Sequence, residues 1–261
     1  MGRMSRHRIA LLIAACLMLA SRSACALSQD EVVAGAEKLY RTRVSELAQA
    51  RMLDQDRHFL ARVQAIVQTL ARQAQRDDPG AQAIAWEVHI SSDTDENASC
   101  MAGGKMLLGQ PYSERLGLND AELAMILSHE MQHAILLHNL AEYQEAIRLA
   151  PAWRERPFSA LEDAVDNDTR LMTQLASINL EQEVQADQAG LLMAWRAGWR
   201  ASHLAGYYRK LEQASPMSRT GSPTHPAPLQ RWRAARQLAA RLDAAHDGAQ
   251  ASGGLREARR D

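Results

Sequence analysis

Residues 119–139 read NDAELAMILSHEMQHAILLHN, and this stretch governs how the rest of the chain is read. Asn119 stands three residues before Glu122, the spacing of a capping box, so a helix is expected to start here. Leu123, Ala124, Met125, Ile126, Leu127, Met131, Ala134, Ile135, Leu136 and Leu137 then leave almost no polar face. That pattern predicts a helix buried on most sides and running to about Asn139. Within it lies His129-Glu130-Met131-Gln132-His133. Residues four apart lie nearly above one another on a helix, so His129 and His133 can offer two imidazoles to one metal ion. Glu130 falls on an adjacent face, suited to a water rather than to the metal. Two imidazoles and a carboxylate are costly in so apolar a helix unless something satisfies them. One zinc ion per chain would do so. The competing reading is a pair of satisfied core histidines with no metal.

A zinc ion engaged in catalysis is usually held by three protein groups with one position open. The best candidate for the third is Glu183, in Glu183-Val184-Gln185-Ala186-Asp187 on a later helix, with Glu181 a less favoured alternative. Asp187 shares a helix face with Glu183 and is expected to orient one of the histidines from behind. On their own these carboxylates would be read as a solvated helix face; beside His-Glu-x-x-His they are read as ligand and support.

The surroundings of these motifs are mostly helical. Ala, Leu, Gln, Glu and Arg dominate, and all are helix formers. Helices are expected over 29–75 (one or a pair), 142–156 in part, 159–197 (one or two), 201–214 and 229–246. Ile84, Trp86, Val88 and Ile90 alternate with polar or small residues as in a strand. Residues 91–99 read as a loop, and Lys105-Met106-Leu107-Leu108 as a second short strand. The fold class is therefore mainly α with a small β-sheet, an α+β domain whose buried motif helix lies beside a short strand. One domain over 27–247, opening on a helical segment, is expected, with a frayed tail over 248–261. The 30 Lys+Arg residues nearly balance the 31 Asp+Glu, and aromatics are only 5%, so no nucleic-acid partner is expected.

Residues 1–26 read as an export leader: Arg3, Arg6 and Arg8, a short apolar run from Ile9 to Ala20, then Ala24-Cys25-Ala26. The run is short for a membrane span. Cleavage after Ala26 would leave Cys100 without a disulfide partner; it is read as a small buried or edge residue and not as a nucleophile. A lipidated or uncleaved N-terminus, giving peripheral or lipid-anchored membrane association, is the competing reading.

The three-part pattern resembles the zinc endopeptidase family that includes HtpX, the CAAX prenyl proteases, Oma, BepA and LoiP. It consists of His-Glu-x-x-His, then Glu183-x-x-Ala186-Asp187 with Gly190 three residues on, then Thr224-His225-Pro226. The resemblance covers about residues 95–232 and is closest to small exported members, because the multiple membrane spans and helical repeats of the larger ones are absent. It implies a zincin-like domain, zinc held by His129, His133 and Glu183, and Glu130 as general base. His225 is implied near the metal, either stabilising the oxyanion or capping the zinc, and Arg231 is expected to pair with a carboxylate close by. Asn97-Ala98 and the Gly103-Gly104 turn resemble the family's approach to its substrate-pairing strand, so Gly103, Gly104, Lys105, Met106 and Leu107 are expected to bind peptide along an edge. Ala102 departs from the proline that relatives often carry there.

The expected function is an exported, zinc-dependent endopeptidase acting on polypeptides, such as misfolded envelope proteins, in the periplasm or at the outer-membrane periphery. A non-proteolytic chaperone or assembly factor that keeps the zinc, and a metal-free helical binding protein, are the alternatives. The sequence does not specify an oligomeric state.

Overall fold

A computed structural model describes residues 26–257. Residues 1–25, which carry nearly all of the expected leader, lie outside the described residues. No helix among those described is long and apolar enough to cross a membrane.

The chain opens with helix α1 (Gln29–Gln49), started by a reciprocal capping box between Ser28 and Glu31. Helix α2 (Arg57–Asp77) begins where the Asp56 carboxylate accepts from the backbone N–H groups of His58 and Phe59. The expected helical stretch is thus a pair. Its break is pinned to the sheet by Asp54, whose N–H donates to the Ile90 carbonyl and whose carboxylate accepts from the Ile90 N–H. Leu60, Val63, Ile66, Val67, Leu70 and Ala74 form the buried stripe of α2.

Three short strands follow: β1 (Glu87–Ser91), β2 (Ala98–Met101) and β3 (Lys105–Gly109). Their order is β1-β3-β2, with β1 parallel and β2 antiparallel to β3. The sequence reading took residues 91–99 as a loop, but Ala98 and Ser99 belong to a strand. Gly103 and Gly104 form the β2–β3 turn, both at φ +81°, where L side chains are strained. A Cβ on Gly104 would also stand 2.5 Å from Ile84 Cγ2.

This topology corrects the expected peptide-binding segment. Lys105, Met106 and Leu107 lie on the central strand with both edges already paired, and Gly103 and Gly104 are its turn, so none of them offers a free edge. Lys105 is buried, and its ammonium donates to the Ala85 carbonyl and the Glu87 carboxylate. The edge strands are β1, bridged on its outer side at Ser91 to Leu53, and β2, which is the one that borders the motif helix. Asn97 accepts from the Gly109 N–H toward β3, so by strand alternation Ala98 and Cys100 turn their N–H and C=O groups outward.

Helix α3 (Gln110–Arg115) leads to α4 (Asp120–Ile135), the buried motif helix, capped by Asn119 and Glu122 as the sequence predicts. It ends at Ile135 rather than near Asn139, because Leu137 adopts a left-handed conformation (φ 57°, ψ 35°) and α5 (His138–Leu149) starts in a new direction. Helices α6 (Phe158–Asn167), α7 (Thr169–Arg196), α8 (Ala201–Leu204), α9 (Gly206–Ala214) and α10 (Pro228–Glu257) complete the fold. The last helix extends to Glu257, beyond the end at residue 246 expected from the sequence and into the expected tail.

The main apolar core joins α2, the sheet, α4, the C-terminal part of α7 and α8–α10. A second cluster lies between α1, α5, α6 and the start of α7. Helix α4 packs most extensively along α7. The structure is thus mainly helical with one small sheet, as expected.

Candidate active site

Three side chains converge where α4 meets α7. His129 Nε2 and His133 Nε2 are 3.3 Å apart. Glu183 on α7 places one carboxylate oxygen 3.3 Å from His133 Nε2 and the other 3.6 Å from His129 Nε2. All three donors lie within 4.8 Å of one another. A tetrahedral zinc ion with bonds near 2.0–2.1 Å has ligand–ligand edges of about 3.3–3.4 Å, so this spacing suits it. The donor set of two imidazoles and a carboxylate suits it too. Glu183 Oε2 is buried and makes no hydrogen bond of its own; it is met only at ion-pair range, most closely by Arg231 Nη1 at 3.3 Å, which leaves its lone pairs open to a further cation. Glu181 is not the ligand: it is exposed and accepts from the Gln185 amide.

The support behind this trio is charged and buried. His129 Nδ1 lies 2.9 Å from Asp187 Oδ1. Asp187 also accepts from the Tyr208 hydroxyl at 2.6 Å and from Arg231 Nε and Nη2 at 2.9 and 2.6 Å. Arg231 is only 7% exposed and reaches Glu183 Oε2 at 3.3 Å through Nη1. It therefore bridges both α7 carboxylates, which bears out and extends its expected pairing. Burial alone would raise the Asp187 carboxyl, but the Arg231 charge and the His129 bond outweigh it and hold Asp187 at about 2. Glu183 is held well below the usual carboxylate range against its own burial by hydrogen bonds from His129 and His133. Without a metal, His129 is pushed up to about 10: burial opposes its charge, and Asp187 and Glu183 overcome that.

Glu130 is differently placed. Its carboxylate stands 4.0 Å from His129 Nε2, and burial, the leading cause, raises it, opposed by the two histidines. A raised, partly desolvated carboxyl beside the trio suits proton transfer. His225 hangs over the site from the loop before α10. Its Nε2 is 3.6 Å from Glu183 Oε2, its Nδ1 is 2.9 Å from the Thr224 hydroxyl, and its N–H donates to the Ser222 hydroxyl at 2.9 Å.

Two adjoining cavities meet at these groups. One, of about 510 Å³, runs from β2 past His129, Glu130 and His133 to an acidic wall of Glu142, Glu162 and Asp166. The other, of about 530 Å³, is more apolar and is walled by Tyr112, Ile126, Leu211 and Met217. Ala98, His129, Glu130 and His225 border both, so a groove passes under the free edge of β2 on either side of the trio. Cys100 lines the first cavity from β2. It is buried, and desolvation, with the Glu130 charge second, pushes its thiol well up, which agrees with its reading as a structural residue.

The structure brings together every expected member of the trio and its surroundings: His129, Glu130, His133, Glu183, Asp187 and His225. Sequence reasoning passed over Tyr208, which carries no motif, and His138. His138 was set aside because five residues on an unbroken helix place it about 140° from His133. The break at Leu137 removes that premise, yet no glycine or proline announces it. His138 Nδ1 lies 3.1 Å from His133 Nδ1 and its Nε2 lies 3.2 Å from Gln185 Oε1.

Two comparisons bear on this site. The sequence profile described as Peptidase family M48 matches residues 59–239. The mitochondrial metalloendopeptidase OMA1 of Arabidopsis thaliana is 27% identical over 128 residues, which is 49% of this chain. The match spans about a quarter (26%) of that relative's length.

Proposed function

The chain belongs to peptidase family M48, and from that premise we propose that it is an exported, zinc-dependent endopeptidase. The observation that carries the reading is the convergence of His129, His133 and Glu183 beside the half-buried Glu130, under an unpaired strand edge. A zinc ion bound there would supply Lewis acidity, polarising a peptide carbonyl and acidifying a water molecule.

The chain's own residues supply the rest. An extended peptide adds to β2 through the outward N–H and C=O groups of Ala98 and Cys100, a mode that tolerates many sequences. Glu130 accepts a proton at its carboxylate and returns it to the leaving amine. Asp187 holds the His129 ring with Nε2 turned inward, and Arg231 keeps Asp187 and Glu183 ionised. His225, at the mouth of the site, donates to the carbonyl oxygen as it gains charge. The leader-like residues 1–26 support export to the periplasm or the outer-membrane periphery, where unfolded envelope proteins are the substrate class that fits a sequence-tolerant groove.

Purified protein should contain about one zinc per chain and cleave unfolded casein. Glu130→Gln should keep the metal and lose about 10²–10⁴-fold in rate. Equal casein cleavage by both proteins would overturn the reading, and the mass of the mature N-terminus tests export. A second reading, a zinc-retaining assembly factor without proteolysis, is favoured by the closeness of His225 to Glu183, which would let its ring close the open side of the site. Full in vivo function of Glu130→Gln would select it.

A further inference from the structure

We propose that His138 is the positioning residue for His133: its neutral imidazole accepts the His133 Nδ1–H and so keeps the Nε2 lone pair of that ring aimed at the metal site, as Asp187 does for His129. The inference rests on the metal-site reading above and concerns a residue outside the ligand trio.

The proton assignments force one another. His133 Nε2 faces His129 and Glu183 and must be unprotonated to serve a metal, so the proton of His133 sits on Nδ1. That nitrogen is 3.1 Å from His138 Nδ1, which must then be the acceptor. The His138 proton is left on Nε2, 3.2 Å from Gln185 Oε1, an atom that can only accept. The Gln185 amide nitrogen donates in turn to Glu181 at 3.2 Å, which fixes which way that amide faces. A doubly protonated His138 would set two N–H donors against each other, so the chain of bonds requires the neutral ring.

The backbone is bent to make this contact. Leu137 takes the left-handed conformation, which costs any residue with a Cβ. Leu136 and Leu137 are 42% and 41% exposed, so burying them does not account for the bend. What it does achieve is to begin a new helix at His138 and fold that ring back onto His133, 5.0 Å between centroids and edge-on at 77°. His138 is 4% exposed, and buried Gln182 clamps it by donating to its carbonyl at 3.1 Å. One stretch of α7 thus supplies Gln182 and Gln185 to hold His138, Glu183 to the trio and Asp187 to His129. The two histidines are backed differently, one by a carboxylate and one by a neutral ring.

The test compares full-length wild type, His138→Leu, His138→Gln and Gln185→Leu by zinc competition against a chromophoric chelator, casein kinetics and metal-free melting. His138→Leu should bind zinc about 10- to 100-fold more weakly and lose kcat with KM unchanged. His138→Gln, whose amide oxygen can accept, should recover most of the affinity. Gln185→Leu, at an exposed position, should weaken zinc binding several-fold with the metal-free melting temperature unchanged. Zinc affinity of His138→Leu within about twofold of wild type would overturn the proposal, as would equal losses in the Leu and Gln variants. Should His138→Leu fail to fold, undiminished zinc affinity in Gln185→Leu overturns it instead. A wild-type chain that binds no zinc would sink the metal-site reading itself, a distinguishable result.

Discussion

Gly190 on α7 lies directly against the backbone of His129 on α4: a Cβ built on it would stand 2.9 Å from the His129 amide nitrogen and 3.0 Å from its Cα. The absent side chain lets the two helices approach closely enough for Glu183 and Asp187 to reach the histidines. It also gives a physical reason for a glycine three residues after Asp187. Gly190→Ala would remove a helix-weakening glycine but would push backbone against backbone, which cannot yield as a side-chain tip can. We expect a net loss of about 1–3 kcal/mol in urea melts and a weaker hold on zinc. A Gly190→Ala protein as stable and as metal-avid as wild type would show that the helix spacing is not set here.

Arg231 is the buried guanidinium that reaches both Glu183 and Asp187, so removing it leaves these carboxylates with only the histidines as ion-pair partners. Arg231→Met should cost about 3–5 kcal/mol in the metal-free protein. Zinc should recover part of that loss, because the ion supplies the missing positive charge. Arg231→Lys should be intermediate, since an ammonium cannot reproduce the paired Nε and Nη2 bonds to Asp187. The measurement is chemical denaturation with and without zinc, and a loss under about 1 kcal/mol in Arg231→Met would contradict the account.

The acidic wall of the cleft makes a separate pH prediction. Burial pushes both Glu142 and Glu162 up to about 7, with the nearby Asp166 charge adding to each. The unfolded chain releases these protons near pH 4.5, whereas the folded chain keeps them until about pH 7. Stability from these groups is therefore complete below about pH 4.5 and falls as pH rises through about 7. Urea midpoints of the chelator-treated protein should decline from pH 5 to pH 8. The double variant Glu142→Gln with Glu162→Gln should flatten that decline, and an unchanged slope would place the titration elsewhere.

How much of this was legible beforehand follows from the range of each interaction. The cap at Asn119, the buried motif helix and the histidine pair are local in sequence, so the chain states them directly. Glu183 and Asp187 could be inferred because two imidazoles in an apolar helix demand partners. The free edge was placed on the wrong side of the hairpin. Gly103 and Gly104 announced a turn, but nothing local says that β3 pairs with distant β1 and so becomes central. His138 was lost for a similar reason. The turn at Leu137 leads into His138, which Gln182 and Gln185 of α7 hold, and those contacts are not written between residues 133 and 138.

The corrected edge carries the last prediction. On β2, Ser99 and Met101 pair with Leu107 and Lys105 in the ladder to β3, while the N–H groups of Ala98 and Cys100 face the cleft. Ala98→Pro would delete one outward donor and leave the ladder to β3 intact, since proline is tolerated on an edge strand whose N–H is unpaired. Losing one main-chain bond to the peptide is worth about 0.5–1.5 kcal/mol, or roughly a 2- to 10-fold rise in KM. Zinc content and melting temperature should stay near wild type. Leu107→Pro, on the central strand, should instead destabilise the whole fold. If Ala98→Pro left casein kinetics untouched while remaining folded, the peptide would have to lie somewhere other than along β2.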